Sequence, residues 1–134
     1  QLKEVLKLLK NWIDLSLHVE TTKYYDSMGI DRIMACEAVS DAIIIDAGSA
    51  ITVDLVKNNV YDGGFIYPGV LAMEKTYKDI SSALDYKFNF DINLDVLAKN
   101  SQDSIGYGFL KTLYLEVVSH NMHVILTGGD AKKF

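Results

Sequence analysis

The chain has 134 residues, with 13 Lys and Arg against 18 Asp and Glu for a formal net charge of −5, and it is 49% hydrophobic and 23% charged. That length is one ordinary domain, and the apolar fraction supports a packed core and excludes a disordered chain. An acidic balance without a Lys/Arg cluster lacks the footprint of phosphate-backbone binding, so nucleic acid is not an expected partner.

Leu2, Val5, Leu6, Leu9, Trp12 and Ile13 recur at helical spacing with Lys3, Glu4, Lys7 and Lys10 between them, the pattern of an amphipathic helix. Leu15, Leu17 and Val19 then alternate with Ser16, His18 and Glu20, which predicts a strand, and the polar residues from Glu20 to Gly29 predict a loop. A helix carrying Ile33, Met34 and Val39 is expected to start near Asp31, where an acid suits the positive end of the helix dipole.

Ala42 to Ile45, bounded by Asp41 and Asp46, reads as a central strand buried on both faces. Ile51, Val53 and Leu55 alternate with Thr52 and Asp54, and Asn58-Asn59 offers a turn, so a three-stranded meander is expected. Gly63-Gly64 should interrupt its third strand and Pro68-Gly69 stop it. Val70, Met73, Tyr77, Ile80 and Leu84 predict a helix, Ile105, Phe109, Leu113 and Val117 another, and Val124 to Leu126 a last buried strand. The link from His120 to His123 between the last helix and the last strand is short and polar.

No apolar run approaches the roughly 20 residues of a spanning helix, so no membrane partner is expected. Cys36, a lone cysteine among apolar neighbours, reads as a buried thiol, and the cytoplasm as the expected location. A start at Gln1, without an initiator Met or a signal-type stretch, reads as a piece of a longer chain.

The chemistry-bearing segments are four. Asp46-Ala47-Gly48-Ser49-Ala50-Ile51-Thr52 sets an acid at a strand end before a glycine and hydroxyls, which suits phosphate oxygens and a cation; it also suits a plain hairpin with a capping acid. Thr127-Gly128-Gly129 is a second glycine turn at a strand end, where open α/β sheets bind ligands, or an ordinary loop. Gly29-Ile30-Asp31-Arg32 offers Arg32 as a bidentate clamp for a carboxylate and Asp31 as a proton acceptor, or a helix cap beside a surface arginine. Asp62 to Gly69 holds four residues of special backbone behaviour and a tightly defined path. His120 and His123 have no third ligand at metal-binding spacing, and neither a nucleophile elbow nor a Walker-type lysine loop occurs.

Taken in order, Gly29-x-Asp31-Arg32, Asp46-x-Gly48-Ser49-Ala50-x-Thr52-x-Asp54, Gly63-Gly64-x-Ile66-x-Pro68-Gly69 and Thr127-Gly128-Gly129 resemble the type III pantothenate kinase family from about Tyr24 to Ala131. The resemblance implies an α/β fold, a ribonuclease H-like lobe of the actin and sugar-kinase superfamily with a mixed β-sheet and flanking helices. It implies that residues 1–134 are mostly the C-terminal lobe of a two-lobed kinase whose N-terminal lobe carries a first phosphate loop not found here.

It further implies ATP-dependent phosphorylation of pantothenate to 4'-phosphopantothenate, the first step of coenzyme A biosynthesis, with ATP as donor, Mg²⁺, and K⁺ or NH₄⁺ as monovalent cation. By the same resemblance Asp31 is the catalytic base, and Tyr25 (chosen over Tyr24), Gly29, Ile30, Asp31, Arg32 and Ser101, which follows Asn100, bind pantothenate. Gly48, Ser49, Gly128 and Gly129 face ATP, and Asp46 is the cation ligand. A homodimer is implied, with the pocket near the subunit interface and Tyr67 and Tyr77 as candidate contacts. Ser49 and Ser101 stand where the family more often has Thr. Two rivals remain, a non-catalytic regulator of the family like the Bvg accessory factor, and a binding or chaperone-type member of the superfamily.

Overall fold

The structure, a computed structural model, describes residues 13–134. The amphipathic helix expected over Leu2 to Ile13 lies, apart from Ile13, outside the described residues.

Four strands form one sheet in the order β3-β2-β1-β4: β1 (Ala42–Ala47), β2 (Ala50–Lys57), β3 (Val60–Pro68) and β4 (Val124–Thr127). The first three are an antiparallel meander, and β4 lies parallel to β1. Asn58 and Asn59 turn β2 into β3 at φ 52° and 62°, the left-handed pair that a two-residue hairpin needs and that Asn tolerates best after Gly. Three helices pack on the sheet: α1 (Ile30–Glu37), α2 (Val70–Ile80) and α3 (Ser101–Ser119). This is the mixed α/β arrangement of a mixed sheet and flanking helices expected from the sequence.

Period-two alternation in β1 and β2 explains why helices sit on both faces. Ile43, Ile45, Ala47, Ile51, Val53 and Leu55 pack with Val70 and Met73 of α2 and with Phe109, Leu113 and Val117 of α3. Ile44 and Val56 point the other way, onto Met28, Ile33 and Cys36. Burying each large aliphatic side chain is worth about 1.5–3 kcal/mol, so the two inner strands β1 and β2, which bury three and four of them, anchor the domain. Cys36 is the buried thiol expected, and burial pushes its pKa up to about 12. At the start of α3, the Asn100 side chain accepts from Asp103 N (2.9 Å) and donates to the Asp103 carboxylate (2.6 Å), a reciprocal cap.

Four expectations are corrected. Leu15 to Val19 is not a strand: Leu15–Leu17 is a 3-10 turn, because Asp14 accepts from both Ser16 N (3.0 Å) and Ser16 Oγ (2.5 Å) and closes the chain locally. Gly63 and Gly64 do not interrupt β3, whose pairing with β2 continues across them with a register shift at Leu55/Val56. The helix from Val70 ends at Ile80, where Ser81 turns extended and caps a separate 3-10 turn over Ser82–Leu84. Finally, β4 is not buried: Val124 and Leu126 are 37% and 44% exposed, because among the described residues β4 pairs only with β1 and α3 leaves a hollow of about 250 Å³ beside it.

Candidate functional site

Side chains of even-numbered residues in β1 and β2 face α1. Asp46 stands opposite Thr52 of β2 and beside Thr127 of β4, so an acid and two hydroxyl residues share one rung near the end of β1. Asp46 is half-buried, and Thr52 Oγ1 is a buried oxygen without a hydrogen-bond partner. An unpartnered hydroxyl beside a carboxylate is costly unless something polar visits it.

Three backbone turns gather at this end of the sheet. Gly48 N donates to Ala50 O (3.0 Å), Gly69 N to Ser49 O (3.0 Å), and Asp130 N to Ala47 O (2.9 Å). Gly128 adopts φ 94°, and a Cβ there would collide with Ala47 O and Asp46 Oδ1. Only glycine lets the second turn lie against the first. Ser49, Gly128 and Gly129 are exposed at this junction and Gly48 is half-exposed.

The Gly29 to Arg32 segment is the first turn of α1. Gly29 precedes α1 in an extended conformation, and a Cβ there would meet only the end of the Asp31 side chain. Asp31 is exposed, and its Oδ1 accepts from Arg32 N (2.9 Å). Arg32 is buried and grips Asp54 through two bonds, Nε to Oδ2 (2.9 Å) and Nη2 to Oδ1 (2.5 Å). This hydrogen-bonded partner raises the Arg32 pKa further above its ordinary value, against the effect of burial. Arg32 Nη1 also donates to the Tyr25 hydroxyl (2.5 Å). The bidentate edge of Arg32 is therefore satisfied inside the protein, leaving two of its five N–H groups for anything else.

Tyr24 points elsewhere, donating to Glu37 (2.8 Å), and burial together with that carboxylate raises its pKa. Arg32 meets Asp54 while Cys36 shares a buried cluster with Ile44 and Val56, so α1 lies across this face of β1 and β2. Asp46, Gly48, Ser49, Gly128 and Gly129 gather at one end of the sheet, while Arg32 ties Gly29, Ile30 and Asp31 to Asp54 midway along it and Tyr25 reaches Tyr61, which pairs with Val56 toward the other end. Ser101 does not join them. It opens α3, which packs on the opposite face, and it lines a separate hollow with Tyr77, Leu84, Lys99 and Ser104. Tyr67 and Tyr77 pack against the core around Phe109.

Sequence reasoning quoted Asp54 within a motif but gave it no part. Its signal was an acid at a position whose neighbours Val53 and Leu55 demand a buried strand, and a buried acid needs a cationic partner. Among the described residues no group of three His, Cys, Asp or Glu could hold a metal ion. Among the described residues the Asp46 side chain makes no hydrogen bond or ion pair, and the Ala47 carbonyl lies close to it beside Gly128.

The fold is thus a mixed α/β domain with two glycine turns and an acid gathered at one end of its sheet. The family model for type III pantothenate kinase matches residues 3–121, and the chain belongs to that family. It is 60% identical over 132 residues to a type III pantothenate kinase of Sulfurimonas denitrificans, covering 98% of this chain and 64% of that protein. A type III pantothenate kinase of Campylobacter jejuni is 40% identical over 133 residues, again covering 98% and 64%. The chain therefore spans just under two thirds of the length of the curated relatives it matches. Among solved structures, a C. jejuni protein described as a Baf family transcriptional activator superposes with a TM-score of 0.79 at 40% identity, covering 98% of this chain and 65% of that one.

Proposed function

We propose that this chain is the larger part of a kinase that transfers the γ-phosphoryl group of ATP to the primary hydroxyl of pantothenate, the entry step to coenzyme A. The observation that carries the reading is the meeting of the Asp46 and Gly128 turns at one end of the sheet, with Arg32 anchoring the start of α1 to Asp54 on the same sheet, in a chain of this family.

In the reaction the pantothenate hydroxyl oxygen forms a bond to the γ-phosphorus, the bond from that phosphorus to the β–γ bridging oxygen breaks, and ADP leaves. The hydroxyl proton goes to the Asp31 carboxylate. Asp31 is exposed and its Oδ1 is held by Arg32 N, so Oδ2 is the free acceptor. Phosphoryl transfer asks mainly for positioning and charge neutralisation. Exposed backbone at Gly48, Gly128 and Gly129 and the Ser49 hydroxyl serve the nucleotide, while Tyr25, Gly29, Ile30 and Arg32 shape the pantothenate side. A K⁺ or NH₄⁺ ion at Asp46 would offset charge between carboxylate and phosphates, and Mg²⁺ would enter with ATP.

The remainder of the protein supplies the other lobe and its first phosphate loop. Ser101, on the far face from Asp31, serves a second copy, so the protein acts as a homodimer. The cytoplasm is its place of action, and no helix among the described residues is long and apolar enough to cross a membrane.

A regulatory role is favoured by one observation only, the likeness to the protein described as a Baf family activator. Retention of Asp31, Arg32 and Asp46 and the net charge of −5 weigh against it. Incubating the full-length protein with labelled ATP and pantothenate decides the matter. Phosphopantothenate should form, and a folded protein that forms none overturns the reading.

A further inference from the structure

Arg32 is the single arginine of the sequence and is 9% exposed, while its partner Asp54 is 2% exposed. Tyr25, at the other end of the same guanidinium, is 44% exposed. A continuous chain of contacts therefore runs from the interior of β2 through α1 to a phenol at the surface.

The chemistry of the three groups gives that chain a direction. The Asp54 carboxylate accepts from two Arg32 nitrogens and so fixes the plane of the guanidinium. A guanidinium only donates, so Tyr25 Oη receives the Nη1 hydrogen and keeps its own O–H proton for another acceptor. The backbone N–H of the same Arg32 donates to Asp31 Oδ1. One buried anchor thus orients the surface phenol through the guanidinium, beside the carboxylate that the same residue's backbone holds.

We propose that Asp54 is a positioning residue for the pantothenate side of the site. Acting through Arg32, it holds the Tyr25 hydroxyl as a hydrogen-bond donor to a carboxylate or amide oxygen of the substrate. The proposal rests on the kinase reading above. A merely structural ion pair would affect both substrates alike, whereas this arrangement touches only the Tyr25 and Asp31 side and leaves the Gly48 and Gly128 turns alone.

The test is steady-state kinetics on the full-length protein. Asp54→Asn should raise KM for pantothenate about tenfold or more, lower kcat less than that, and leave KM for ATP within about twofold. Tyr25→Phe should raise KM for pantothenate similarly, and the double variant should be no worse than the poorer single one, since both cut the same chain. Additive losses, or equal changes in both KM values, overturn the proposal. If Asp54→Asn fails to fold, the wild type answers through the NMR signal of Arg32 Nε–H. That signal should be protected from solvent exchange and shift on adding pantothenate but not ATP, and an unmoved signal at saturating pantothenate refutes the proposal. Wild-type protein without turnover would count against the kinase reading instead, while the titration still reports whether pantothenate engages Arg32.

Discussion

Asp31 and Asp46 are two acids with different surroundings, and the proposed function gives them different work. Asp31 is exposed with one oxygen committed to Arg32 N, which is also what a simple helix cap looks like. The two roles separate on substitution, because Asn caps a helix as well as Asp does. If Asp31 takes the hydroxyl proton, Asp31→Asn should cut kcat by roughly 10²–10⁴-fold with ATP binding nearly intact and the melting temperature unchanged. A folded variant with near wild-type turnover would remove Asp31 from the mechanism. Asp46 has no partner among the described residues and sits beside the orphaned Thr52 hydroxyl on its rung. Turnover should accordingly require K⁺ or NH₄⁺ in addition to Mg²⁺. Equal rates with sodium as the sole monovalent cation would argue against that part for Asp46. The placement of both acids, at a helix start and near a strand end, was legible in the sequence. Arg32 was legible only in part: its neighbours marked it as functional, but its burial against Asp54 depends on a pairing of residues 22 positions apart that no local pattern reveals.

At the level of elements, the sheet was readable where periodicity and burial agree. β1 is apolar throughout and central, and β2 alternates because its two faces meet different helices. The segment Leu15 to Val19 alternates equally well but finds no partner strand, and the Asp14 cap decides its conformation instead. β4 misled in the opposite sense: its apolar residues imply burial, yet what would cover them is not among the described residues. Gly128 is where an element depends on a single atom. Gly128→Ala would place a Cβ against Ala47 O and Asp46 Oδ1 at φ 94°, a conformation that costs a non-glycine residue about 1–3 kcal/mol before any collision. We expect a lower melting temperature and a KM for ATP raised about tenfold, with KM for pantothenate little changed. Gly129→Ala, where a Cβ meets nothing within 4 Å, should melt like the wild type. An ATP KM unaffected by Gly128→Ala would detach this turn from the nucleotide. The start of α3 predicts a pH effect. Hydrogen bonds from Asn89 and Asn100 hold the Asp103 pKa below its ordinary value, and although burial opposes it, the Phe88 N–H and Lys87 do the same for Glu74. Both carboxyls bind protons more weakly folded than unfolded. Their stabilisation is complete above the unfolded carboxyl pKa of about 4 and is lost as the pH falls through the folded values below it. Melting temperatures should drop over that acidic range, and less steeply in Asp103→Asn; a flat profile there would contradict it.

At the scale of the whole molecule, the puzzle is Ser101. It stands at the first turn of α3 on the face opposite α1, in a hollow that includes none of Tyr25, Asp31 or Arg32. A symmetric dimer resolves this if Ser101 of one copy completes the Asp31 site of the other, as closed two-fold interfaces permit. Mixing two damaged copies tests the arrangement. Asp31→Asn removes the base from its own site. Ser101→Asp keeps α3 intact, because an acid suits a helix N-terminus, but sets a negative charge against the pantothenate carboxylate. In a mixed dimer, the copy that retains Asp31 receives an unaltered Ser101 from its partner, so one of the two sites is whole. Random reassociation of equal amounts makes half the dimers mixed, and activity should recover to about a quarter of wild type from two nearly inactive parents. If Asp31 and Ser101 instead served the same site within one chain, every site in the mixture would carry one lesion. Activity would then stay at the mean of the parents, and this dimer architecture would be wrong.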